Sequence, residues 1–191
     1  AMHRYELIMA QRGWKVAAND LSNLILGIQD ATLMAENMVI AAESLGLGSC
    51  FLGAWPYMAK KLRRQYKIPE RVFPVVGLTM GYPAENPPIR PRYPLNVHLF
   101  EEEYPQLDDS TIQQAMQVMD DGYLAQDYYR KANYMIPLKG DRQETYTFDN
   151  YSWTEHISRK LGLWQRDSRS ILAAFKACGF KLPGMRANKR D

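Results

Sequence analysis

The strongest periodic pattern in the chain lies between Leu21 and Leu45. Leu21, Leu24, Ile25, Ile28, Thr32, Ala35, Met38, Val39, Ala42 and Leu45 recur at three- and four-residue intervals, the repeat of one helix face. Leu26, Leu33, Met34 and Ile40 fall off that stripe, so the pattern predicts a helix apolar on more than one side that runs through the core. Asn19 or Asp20 suits its cap, and Gly46 or Gly48 suits its left-handed stop. Residues 49–54 are short, apolar and flanked by glycine, which predicts a buried strand.

Pro56 is placed to open a helix over residues 57–66, with Lys60, Lys61, Arg63 and Arg64 as a solvated face. Residues 72–80 form a second apolar strand candidate, ended by Gly81-Tyr82-Pro83. The proline-rich run to Pro94 is predicted to be an extended strap, because proline removes donors and disfavours helix in the residue before it. Asp108 or Asp109 caps a helical pattern over 110–134, with Ile112, Met116, Met119, Tyr123 and Tyr128 facing inward. Residues 137–150 are polar and read as a loop, and two more helices follow at 153–161 and 168–178. Two strands are few for a domain with so many helices, since a sheet typically holds about five or six. Further strands are therefore expected in 4–16 or 96–100, or else part of the sheet lies outside the chain.

Composition narrows the class. With 191 residues, 46% of them hydrophobic, there is apolar material for one sizeable core. The net charge of +3 comes from 24 basic and 21 acidic residues spread along the chain, so no basic block implies nucleic acid. No apolar run is read as reaching the ~20 residues that span a bilayer, and no secretory leader is recognised. The expectation is a cytoplasmic protein with no membrane contact. Cys50 and Cys178 are isolated, and with His3, His98 and His156 they make no metal-ligand spacing. Cys50 is expected to pack inside its strand, and His156 to sit on a helix surface or at an interface. Tyr123, Tyr128, Tyr129 and Tyr134 read as core or interface aromatics.

Taken together, Asp30-Ala31, Glu36-Asn37, the continuous run from Ala41 to Ala54, Ile68-Pro69, Gly81-Tyr82-Pro83-Ala84 and the strap from Pro87 to Pro94 resemble the nitroreductase superfamily. So do Trp153-Thr154-Glu155-His156-Ile157 and Ser168-Arg169 with the apolar helix that follows. The order is similar to the NADPH-dependent nitroreductase and flavin reductase branch, from about residue 20 onward. The resemblance implies an α+β, nitroreductase-like fold: an incomplete mixed sheet flanked by helices, with a helical carboxy-terminal extension. It implies one domain over 1–191, with 1–20 as an irregular lead-in, 20–95 as core and 96–191 as the extension. It also implies FMN as cofactor, NAD(P)H as co-substrate, a homodimer, and nitroaromatics, quinones or free flavin as small-molecule electron acceptors. Relatives carry an Arg-Ser-x-Arg phosphate-binding sequence before a segment like His3-Arg4, so by this comparison the chain corresponds to the carboxy-terminal part with the amino-terminal region missing. A second expectation follows, of a truncated, non-catalytic or partner-dependent remnant that does not hold FMN alone.

Site residues follow by matching positions. Phe51, Leu52, Gly53 and Ala54 match the segment that lies against the flavin ring, where small side chains permit close approach; on the residues alone, Gly53 simply ends a strand. Arg90 and Arg92 flank Pro91 and match contacts to the FMN phosphate, which guanidinium groups bind bidentately; on the residues alone they are a solvated pair. Arg166, Ser168 and Arg169 match a position at the mouth of the site that meets NADPH or the oxidising substrate, while Asp167 or Ser168 also suits a plain helix cap. Neither a catalytic acid or base nor a metal is expected, because the flavin carries the difficult chemistry and the protein mainly positions it.

Overall fold

The computed structural model describes residues 1–16, 20–163 and 168–182. The elements are α1 (Met2–Gln11), α2 (Asp20–Ser44), β1 (Gly48–Leu52), α3 (Ala59–Gln65), β2 (Gly77–Gly81), α4 (Asp109–Ala125), α5 (Tyr128–Lys131), α6 (Trp153–Leu163) and α7 (Ser168–Ala177), with 3-10 turns at Trp55–Met58 and Leu95–Val97. The chain divides into two compact units, one formed by residues 1–85 with 167–191 and the other by 86–166.

In the first unit β1 and β2 pair antiparallel, in register from Gly48 opposite Gly81 to Leu52 opposite Gly77. Gly77 is required there, because a side chain on it would run into the Trp55 indole. The core gathers Leu24, Ala59, Ala174, Cys178 and Phe180, with Ile28, Phe73 and Phe175 packed against them. The Phe73 and Phe175 rings lie 4.0 Å apart between centroids. Burial pushes the Cys178 thiol up, as it does for any thiol whose charged form is desolvated.

Arg71 closes this unit. Its backbone adopts the left-handed conformation (φ 64), which costs a non-glycine residue about 1 kcal/mol. In return its N–H donates to Cys178 O (2.8 Å), and its carbonyl accepts from Met2 N and His3 N at the exposed start of α1. The guanidinium donates to Glu6 (2.6 Å), Asp20 (2.6 Å) and Gly179 O (3.0 Å) and lies over the Phe180 ring. The bond from Arg71 holds the Asp20 carboxyl below the usual carboxylate range. Nearby, Arg63 donates to Ile68 O and to Ala177 O at the end of α7.

The second unit is organised by α4 and α6. Asp108 caps α4 by accepting from Thr111 N (2.8 Å), and Asp120 on α4 then caps α6. Thr154 N donates to the Asp120 carboxylate (2.9 Å), and Ser152 Oγ donates to Asp120 O (2.9 Å). Buried Arg159 donates to Glu155 (2.7 Å), Ile136 O (2.8 Å) and both oxygens of Glu144 (2.6 and 2.8 Å), so the polar stretch before α6 is tied to it. The Glu144 carboxyl is held at about 2, first by its bonds from Arg159. Beside these lies an aromatic cluster: His156 stacks on Tyr129 (4.8 Å), and its Nδ1 meets the Tyr151 hydroxyl at 3.1 Å. That hydroxyl also accepts from Ile136 N (3.0 Å). The strap packs on α4 at Gly122, where a Cβ would come within 2.5 Å of the Pro91 ring.

Several expectations are corrected. Residues 2–11, read as part of an irregular lead-in or a strand, form α1, and residues 95–97 form a 3-10 turn after Pro94. The sheet among the described residues therefore holds two strands. The helix expected over 110–134 breaks at Asp127, whose backbone is left-handed (φ 53), and Ile112 and Met116 face outward. Helix α2 buries Leu24, Val39 and Ala42 but leaves Ile25 50%, Leu26 58% and Leu33 67% exposed, because few described residues cover its second face. Cys50 is exposed, since β1 has no cover on that side. By length and composition α2 is also apolar enough to cross a membrane, although an acidic residue such as Asp30 or Glu36 near its middle would cost of order 3 kcal/mol at a bilayer centre.

Replacing Arg71 by Ala should lower stability by about 2–3 kcal/mol in urea titration, because it strands the Asp20 charge and frees Gly179 O. Burial pushes His156 below its ordinary value, helped by Lys160 and Arg159. Its neutral form therefore stabilises the unit above about pH 6.5, and that contribution is lost as pH falls below this toward the lowered folded value. Comparing urea midpoints at pH 7.5 and 5.5 should show a drop in the parent that His156→Gln reduces. Gly122→Ala should destabilise by about 1 kcal/mol despite the helix preference for alanine, since the strap must shift. The control Gly162→Ala, with nothing within 4 Å, should gain roughly 0.5 kcal/mol.

Candidate functional site: an arginine strap and an open strand end

The strap from Asn86 to Pro94 has no repeating hydrogen bonds of its own, as expected of a segment rich in proline. Side chains from α4 and the turn after it fix it instead. Pro91 seats on Gly122, and one turn further along, Gln126 donates from Nε2 to Ile89 O (2.7 Å) while its Oε1 accepts from Arg90 Nη1 (2.5 Å). The Arg90 guanidinium also lies over the Tyr128 ring, 4.3 Å from its centroid, in a cation–π contact. Arg92 Nη1 donates to the carbonyls of Arg90 (3.2 Å) and Pro91 (3.0 Å) and is otherwise exposed. Both guanidinium groups act on Tyr123: burial raises its hydroxyl, and the positive charges of Arg90 and Arg92 oppose that shift.

The structure therefore brings Arg90 and Arg92 together on one side of α4, over a floor of Tyr123 and Tyr128. Among the described residues, Nε and Nη2 of Arg90 donate to no protein group, so a charged edge is left for an anion. Asp127, which precedes α5, is engaged by Arg130 (3.0 Å).

In the first unit, Phe51 and Leu52 end β1, and Gly53 and Ala54 turn toward the 3-10 turn that starts at Trp55. Phe51, Gly53 and Ala54 are exposed and Leu52 is half-buried. A Cβ on Gly53 would meet nothing within 4 Å, so the backbone there offers an open face that a flat ring can approach. Ser168 opens α7, and Arg169 is exposed in its first turn and engaged in a contact of its own. Arg166 lies outside the described residues. No group of three or more potential metal ligands is present among the described residues.

Two residues of the arginine site had no signal in the sequence. Gln126 sits between Ala125 and Asp127 in what reads as an unbroken helix, and Gly122 looks like an ordinary helix glycine. Gln126 follows Gly122 by one helical turn on the same face, and the left-handed residue at Asp127 then sets the place of Tyr128.

Residues 5–82 match the model of the Nitroreductase family. The oxygen-insensitive NADPH nitroreductase of Salmonella typhimurium is 32% identical over 138 residues, 72% of this chain and 50% of that protein. The structure of NfrA2 from B. megaterium superposes with a TM-score of 0.73 at 25% identity, covering 94% of this chain and 65% of that one. The NADPH:FMN oxidoreductase from Vibrio harveyi, complexed with NAD+, gives 0.64 at 25% identity over 93% and 63%. The chain spans about half the length of the curated relatives it matches. On these matches the chain belongs to the nitroreductase superfamily.

Proposed function

We propose that the chain serves an FMN-dependent oxidoreductase, passing hydride from NAD(P)H to nitroaromatics, quinones or free flavin, in the cytoplasm and as a homodimer. The observation that carries this is the Arg90 guanidinium, braced by Gln126 and Tyr128 with an edge left for an anion. That edge fits a phosphate monoester, which arginine binds with paired, charge-assisted hydrogen bonds. Arg92, exposed beside it, adds a second positive charge. In the first unit, the open backbone face at Phe51, Leu52, Gly53 and Ala54 fits the flat, largely apolar isoalloxazine ring. Bound flavin supplies the hydride chemistry itself. The chain's own residues hold, orient and exclude water. Arg169, exposed in the first turn of α7, is assigned with Ser168 to NADPH or the oxidising substrate, where the positive end of the helix dipole adds to the attraction for an anion. Arg166 is assigned with them from the sequence alone.

The homodimer reading is supported by the exposed apolar side chains of α2, among them Leu26, Leu33 and Met34, which line a groove of about 810 Å³ with Tyr5 and Met9 of α1. Contiguous apolar surface of this kind is normally covered by a protein partner. The printed names of the relatives support NADPH as reductant and, for the Vibrio harveyi protein, FMN.

Titration of the purified protein with FMN, followed by quenching of flavin fluorescence, should show saturable binding. NADPH consumption should then rise when menadione or nitrofurazone is added. Exchanging Arg90 and Arg92 together for Ala should weaken FMN by about 10–100-fold and leave riboflavin nearly unchanged, as expected for loss of charge-assisted bonds to a phosphate. A protein that stays colourless after incubation with excess FMN overturns the proposal.

A further inference from the structure

The Arg90 site is built around an amide where a carboxylate would be the stronger partner. Arginine side chains in this protein that are held by acids are neutralised by them: Arg71 by Glu6 and Asp20, Arg159 by Glu144 and Glu155, Arg130 by Asp127 and Asp149. Arg90 is held differently. Its side-chain partners are the Gln126 amide oxygen at 2.5 Å and the Tyr128 ring at 4.3 Å, and neither carries charge.

Both ends of the amide are used, which fixes its orientation. The oxygen faces a guanidinium that can only donate, and the nitrogen faces the Ile89 carbonyl, which can only accept (2.7 Å). A reversed amide would set donor against donor and acceptor against acceptor. Gln126 is itself held in place as the residue that ends α4, and its own carbonyl accepts from Lys131 Nζ (2.8 Å). The side chain therefore bridges two consecutive strap residues, gripping the backbone of one and the guanidinium of the next. Pro91 on Gly122 fixes the following position. Together these contacts take away the freedom of a long side chain, a cost that ligand binding would otherwise bear.

We propose that Gln126 is a positioning residue for the phosphate of the flavin cofactor: it orients the Arg90 guanidinium through a neutral amide, so that the full positive charge stays available to a phosphate monoester. The inference rests on the proposed role of Arg90. Glutamate at the same position would keep an acceptor for Arg90 but would cancel its charge and lose the donor to Ile89 O. Alanine would keep the charge and release the guanidinium. The two variants separate charge from orientation.

The test compares dissociation constants for FMN and for riboflavin, which differ only in the phosphate, in the parent, Arg90→Ala, Gln126→Glu and Gln126→Ala, with circular dichroism to confirm that each variant folds. The FMN preference over riboflavin should fall about tenfold or more in Gln126→Glu and by a smaller factor in Gln126→Ala, while riboflavin affinity holds. A general structural role would weaken both ligands alike and leave the ratio standing. If Arg90→Ala loses the preference and both Gln126 variants keep it, the role of Gln126 is overturned while that of Arg90 stands. If the parent binds FMN no more tightly than riboflavin, the phosphate reading falls and this inference falls with it.

Discussion

A guanidinium withdrawn from water has to find partners for its donors, and meeting that demand organises both units of the protein. Arg71 draws together the start of α1, the start of α2 and the turn after α7, stretches far apart in the chain. Two of these have little apolar burial of their own: α1 has no buried residue, and α2 buries three. The ion pairs and carbonyl bonds at Arg71 thus supply closure that apolar burial does not. Arg159 does the same in the second unit, where Glu144, Glu155 and Ile136 O converge on one buried group. Breaking such a cluster is costly because the remaining charges stay behind without partners.

The arginine strap uses the same chemistry for another purpose. Arg90 is oriented with as much care as Arg71 or Arg159, yet its partners are an amide and an aromatic ring, and its charge is left unbalanced. A charge that the fold has oriented but not neutralised is a feature that folding alone does not explain. The glycine at position 122 belongs to the same arrangement, giving up helix preference so that Pro91 can approach α4. This contrast between neutralised and open arginines is what the proposal of an anionic cofactor rests on.

Helix α2 shows how a pattern can be right in type and misleading in depth. Its repeat predicted a helix, and α2 runs from Asp20 to Ser44 as that repeat requires. Burial did not follow, because apolar periodicity states which side chains avoid water and not which surface covers them. The exposed Leu26, Leu33 and Met34 therefore call for a covering surface beyond the described residues. Cys50 follows the same logic at the scale of one strand: an apolar neighbourhood in sequence became an uncovered face in space.

What the sequence by itself determined is the set of elements that depend on local chemistry. The helices α2, α3, α4, α6 and α7, the two strands and the extended strap were all legible, from three-and-four spacing, glycine boundaries and proline's missing donor. The family was legible too, from the run from Asp30 to Ala54, which lies within the residues that match the family model. Local pattern failed where distant partners decide. Residues 2–11 lack a strong apolar stripe and became helical, with Arg71 O taking two of the first amides. A left-handed residue at Asp127 broke an unbroken helical pattern and set the place of Tyr128 against Arg90, while Gln126 reaches Arg90 from the helix face that Gly122 shares. No spacing rule anticipates that meeting, since a bond between residues 36 apart in sequence depends on how α4 and the strap pack. Tertiary structure decided that Arg71 and Arg159 meet carboxylates while Arg90 meets an amide and an aromatic ring.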